Sequence, residues 1–124
     1  MRRNRAGLRS LAAFGALAVL SAAAGEVEIV EARVTATGAA WRFEVTLAHG
    51  DTGWDHSADA WRVVAPDGTV LGTRTLFHPH VEAQPFTRSL SGVAIPGGID
   101  RVVTEALDSV HGWASATMEI ALDR

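Results

Sequence analysis

The sequence predicts an all-β protein: one seven-stranded antiparallel sandwich behind an N-terminal signal peptide. Three observations carry that prediction. Short runs rich in Val, Ile, Thr, Phe and Trp alternate apolar with polar residues, as half-buried strands do. Clusters of Gly, Pro and Asp separate these runs at intervals too short for long helices. Ahead of them stands a basic and then apolar leader.

The leader comes first. Arg2, Arg3, Arg5 and Arg9 precede an apolar run from Leu11 to Leu20, and Ser21-Ala22-Ala23-Ala24 places small residues at the two positions a signal peptidase reads before cutting after Ala24. The apolar run is shorter than the roughly 20 residues a membrane span needs, and no basic stop-transfer cluster follows it. Residues 1–24 therefore read as a removable signal and 25–124 as a single domain, periplasmic or secreted, with no stable membrane insertion after cleavage. Arg2-Arg3 leaves the twin-arginine route open, although the usual Phe-Leu does not follow the pair. The sequence has no cysteine, which rules out disulfides, thiolate ligands and lipid attachment through a thiol.

The strands follow in order. The first is expected over 27–36. The second is the clearest, with Trp41, Phe43, Val45 and Leu47 alternating with Arg42, Glu44 and Thr46. A third over 58–64 turns Trp61 and Val63 inward, and Ala65-Pro66-Asp67-Gly68 is a strong turn into a fourth over 69–76. A fifth is expected over 86–90, a sixth over 99–107 after the Ile95-Pro96-Gly97-Gly98 corner, and a last strand carries Met118, Ile120 and Leu122 on one face. Trp61 in the third strand, together with Leu90-x-Gly92-Val93-x-Ile95-Pro96-Gly97, resembles an immunoglobulin-like sandwich of the fibronectin type III kind. That resemblance implies a fold and no function.

In such a sandwich alternate connections share one end, and all five histidines fall in the three loops of one pole. They are His49 and His56, His78 and His80, and His111. Neutral imidazole is a good ligand for Zn(II) and Cu(II), so this pole is the candidate metal site: His56, His78, His80 and His111, with His49, Asp55 and Asp108 as further candidates. His78 and His80, two apart, are expected to point the same way, and Asp51, Asp55 and Asp108 are available as ligands or as acceptors that orient a ring. Cu(I) is disfavoured because Met118, the sole methionine after the leader, falls on a core face. No other acid or base is identifiable as serving a reaction, so binding is preferred to catalysis.

The alternative is a metal-free module that holds a protein or glycan partner at the same pole through Trp54 and Trp113, although these two are expected to plug the end of the sandwich. Arg88 shares the parity of Phe86 and Leu90 and is expected to need a carboxylate, Asp59 or Asp108. After the leader, seven arginines face fourteen carboxylates, a net −7, which disfavours nucleic acid and anionic membranes. Finally, the segments Trp54-Asp55-His56-x-Ala58-Asp59-x-Trp61, Pro66-Asp67-Gly68-x-Val70-Leu71-Gly72, His78-Pro79-His80-Val81, Gln84-Pro85-Phe86-Thr87-Arg88-Ser89-Leu90 and Asp108-Ser109-Val110-His111-Gly112 resemble an uncharacterised family of small exported bacterial proteins. That resemblance implies export and a single β-domain and transfers no site residues.

Overall fold

The computed structural model describes residues 25–124 and the backbone of Ala13–Phe14, so the signal assigned to 1–24 otherwise lies outside the described residues. The strands are β1 (Ala13–Phe14), β2 (Glu28–Thr37), β3 (Ala40–Ala48), β4 (Ala58–Val64), β5 (Val70–Thr75), β6 (Phe86–Val93), β7 (Arg101–Asp108), β8 (Gly112–Trp113) and β9 (Met118–Ala121). There is no helix among the described residues. One sheet has the order β1-β2-β3-β6; in the other, β5-β4-β7 continues into β8, and β9 also pairs with β7. Every strand pairing is antiparallel.

Among the described residues nine strands stand where seven were expected, for two reasons. β1 adds a two-residue pairing to the edge of β2, through Val34 and Arg33. β8 adds a two-residue pairing to β7 inside the loop expected after the sixth strand, and the last predicted strand is β9; between them Glu26 accepts hydrogen bonds from Ser115 N–H at 3.2 Å and Ser115 Oγ at 2.9 Å. The fifth predicted strand also runs further, to Val93. A bulge between Trp41 and Phe43 lets Val93 pair with Trp41 and bury its side chain.

Alternation decides what lies inside. Trp41, Phe43, Val45 and Leu47 of β3 are buried, while Arg42, Glu44 and Thr46 between them keep contact with water. From the facing sheet come Trp61 and Val63 of β4 and Val102 and Ala106 of β7, all fully enclosed in one apolar cluster with the β3 residues. Burial of each large apolar side chain contributes about 1.5–3 kcal/mol. Where β5 closes against the other sheet, Gly72 leaves the space: a Cβ there would stand 3.0 Å from Leu90 Cδ2.

The same alternation carries a histidine and a carboxylate onto the core face. His49 continues the inward series of β3 one residue past the strand end, and Asp108 closes the inward series Val102, Thr104, Ala106 of β7. Both emerge at one end of the two sheets.

Candidate metal centre

His49 is 7 % exposed and Asp51 5 %. His49 Nδ1 lies 2.5 Å from Asp51 Oδ1, and the same carboxylate accepts hydrogen bonds from Ala58 N–H at 3.1 Å and His80 N–H at 2.7 Å. A carboxylate in that position accepts from Nδ1 and orients the ring so that Nε2 points away from Asp51. The backbone around the ring is held as well: His49 N–H donates to Gln84 Oε1 at 2.9 Å, and Gln84 Nε2 donates to His80 O at 2.8 Å.

His49 Nε2 has two polar neighbours. His56 Nε2 is 3.2 Å away and the Gly25 carbonyl oxygen 2.9 Å away. His56 reaches this place through a tight turn in which Thr52 N–H donates to His56 O at 3.0 Å and Gly53 adopts φ +134°. On its other side, His56 Nε2 lies 3.2 Å from Asp108 Oδ1. Asp108 is 1 % exposed, and its Oδ1 accepts hydrogen bonds from Val110 N–H at 2.9 Å and His111 N–H at 2.8 Å, with His111 Nδ1 at 3.0 Å. Burial pushes the Asp108 carboxyl upward, but these donors outweigh it and hold the group below the usual carboxylate range.

His49, His56 and Asp108 therefore offer three ligand atoms within 4.8 Å of one another. Around a tetrahedral ion with bonds of about 2.0–2.1 Å, neighbouring ligand atoms stand about 3.3 Å apart. The two distances of 3.2 Å from His56 match that edge. His111 sits behind this set, its ring orienting Asp108.

The other sequence candidates lie elsewhere at the pole. His80 Nε2 accepts a hydrogen bond from Arg88 at 2.9 Å, and its ring stacks on Phe86 with centroids 3.8 Å apart, so the ring is committed to strand β6. Burial, then the Arg88 charge, hold the His80 pKa below its ordinary value, with Asp51 opposing and the neighbouring His78 adding to the fall. His78 is exposed, tilted against Trp54 with centroids 6.5 Å apart. The two rings have separate neighbours, Trp54 for His78 and Phe86 for His80, and the segment, which bends at His78, forms no strand. Asp55 is exposed and offers its backbone carbonyl to Ser109 Oγ at 3.4 Å.

Two structural expectations are corrected. Arg88 takes no carboxylate: it donates to His80 and to the Thr87 carbonyl, lying over the Phe86 ring at 5.4 Å, while the Asp59 carboxylate accepts from Ser57 Oγ. Trp54 and Trp113 do not plug the sandwich. Trp54 is 74 % exposed, and Trp113 lies on the outer face of β8 under the Arg62 guanidinium at 3.7 Å. Sequence reasoning also missed Gly25 and Gln84. Neither residue type signals a site, and only the fold brings them to His49.

No known protein family matches the chain, and no solved structure does. The chain is similar to a protein of Halomicrobium mukohataei named "Putative lipoprotein", with 40 % identity over 101 residues, covering 77 % of this chain and 49 % of that relative. It thus spans about half the length of the curated relative it matches.

Proposed function

We propose that this chain is an exported protein of the cell envelope, periplasmic or secreted, whose β-domain binds one divalent transition metal ion, Zn(II) or Cu(II), through His49 Nε2, His56 Nε2 and Asp108. The observation that carries the reading is the meeting of three ligand atoms, from His49, His56 and Asp108, within 4.8 Å of one another. With Asp51 beside its Nδ1, His49 presents Nε2 to the ion, 3.2 Å from His56 Nε2. Such an arrangement is stabilised by a cation placed between the donors, and two imidazoles with a carboxylate suit Zn(II) or Cu(II). Export is supported by the order of the leader and by the name of the relative. The fibronectin type III-like assignment is supported by the strand grouping: β2, β3 and β6 in one sheet, β5, β4 and β7 with β8 and β9 in the other.

Calorimetric titration of tag-free protein with Zn(II) and Cu(II) tests the site. One ion per chain should bind, and the double variant His49→Ala, His56→Ala should lose it. The variant His78→Ala, His80→Ala should retain it. Loss in the second variant with retention in the first would move the site to the 77–80 loop and overturn this reading.

A second reading has its own support. Trp54, Phe77, Val81 and Val110 are all more than half exposed and lie in the loops around the histidines. Such an apolar rim suits a protein or glycan partner at the same pole. Replacing Trp54 and Phe77 together should abolish partner capture on this reading and leave metal binding unchanged.

A further inference from the structure

Building on the metal-binding reading, we propose that removal of the leader completes the metal centre: the new N-terminal residue, Gly25, binds the same ion through its α-amino nitrogen and carbonyl oxygen. The three side-chain ligands leave the ion's coordination open to further donors. The Gly25 carbonyl oxygen already lies 2.9 Å from His49 Nε2, one of the three ligand atoms. Its Cα packs against the remaining histidine of the cluster. A Cβ on residue 25 would stand 2.9 Å from His111 Cε1, and the residue adopts φ +83°, so glycine alone fits without strain.

The sequence places that same residue immediately after Ala22-Ala23-Ala24, where a signal peptidase would cut. Hydrolysis of the Ala24–Gly25 bond adds the hydroxyl of water to the Ala24 carbonyl carbon and a proton to the Gly25 nitrogen. Before the cut that nitrogen is an amide, its lone pair delocalised into the carbonyl and a poor ligand. After the cut it is a primary amine. The amine and the carbonyl of one residue close a five-membered ring with an ion, and with His49, His56 and Asp108 they make a five-coordinate set. Metal loading is thereby tied to export, because the uncut precursor lacks one donor.

The test compares exported protein with a form carrying one additional alanine ahead of Gly25. Both retain every residue of the apolar core, which runs from Val27 to Leu122. Intact mass should show the exported chain beginning at Gly25, and a different first residue would overturn the proposal. Competition titration should give a Zn(II) or Cu(II) affinity at least tenfold weaker in the extended form, with coincident melting of the two forms in chelator. Equal affinities would overturn the role of Gly25 while leaving the side-chain site standing. Failure of both forms to bind would overturn the metal reading itself. Gly25→Ala should also weaken binding, with metal-free melting as its control.

Discussion

Asp51 ties two loops to a strand end, accepting from the His49 ring and from the backbone of Ala58 and His80. Each buried donor left without a partner costs about 1–3 kcal/mol. Asp51→Ala should therefore lower unfolding free energy by about 3 kcal/mol or more in urea titration, and a loss under 1 kcal/mol would contradict the hub role. His80 sets a pH dependence. Its folded pKa is lowered by burial and by Arg88, so the unfolded chain takes up the proton more readily. Stability is then full above the free-imidazole value of about 6.5 and falls as pH drops from there toward the lowered folded value. Denaturation curves between pH 7.5 and about 5 should show this fall, and His80→Gln should flatten it. At this scale the sequence was half legible. The histidine-rich pole could be read from loop order, and His49 and Asp108 could have been ranked first by parity, since each extends the inward alternation of its strand. The separation of His78 and His80 could not be read, because it depends on Phe86 and Arg88 meeting His80 across the fold.

The elements owe their stability to inward-facing positions, the most enclosed of which include positions on β3, β4 and β7. Trp61 is fully buried, and its indole Nε1 has no hydrogen-bond partner. Trp61→Ala should cost about 3–5 kcal/mol, whereas Trp61→Phe keeps an aromatic ring, removes the unsatisfied donor and should cost far less. Equal losses in urea titration would mean that the indole is held by something other than packing. Thr104 sits among apolar neighbours on β7 because its Oγ1 donates to the Met118 carbonyl at 2.9 Å, tying β7 to β9. Thr104→Val keeps the shape and loses that bond, with an expected cost of about 1 kcal/mol. Strand positions were readable wherever apolar and polar residues alternate, as in β3. The β8 pairing was not, because Gly112 and Trp113 are too few to show an alternation and only the return of the chain onto Leu107 and Asp108 makes them a strand.

For the whole molecule, the two sheets form a rigid frame that converges three loops and the start of the domain on one end. The pairing of β2 with β3 extends along nearly the full length of both strands, while β1 adds two residues to its edge. The domain is therefore expected to keep its fold when residues 1–24 are removed, with the melting of residues 25–124 checked directly against the full chain. The same removal leaves the net charge at −7, which favours a cation over an anion near the pole. The measurement closest to the central claim is a titration of the exported, tag-free domain with Zn(II) at pH 7.5, repeated at pH 5.5. One ion per chain at the higher pH, with binding sharply weakened at the lower as protons compete for the imidazole nitrogens, is the result the geometry of His49, His56 and Asp108 predicts. No stoichiometric uptake of Zn(II) or Cu(II) at pH 7.5 would contradict it.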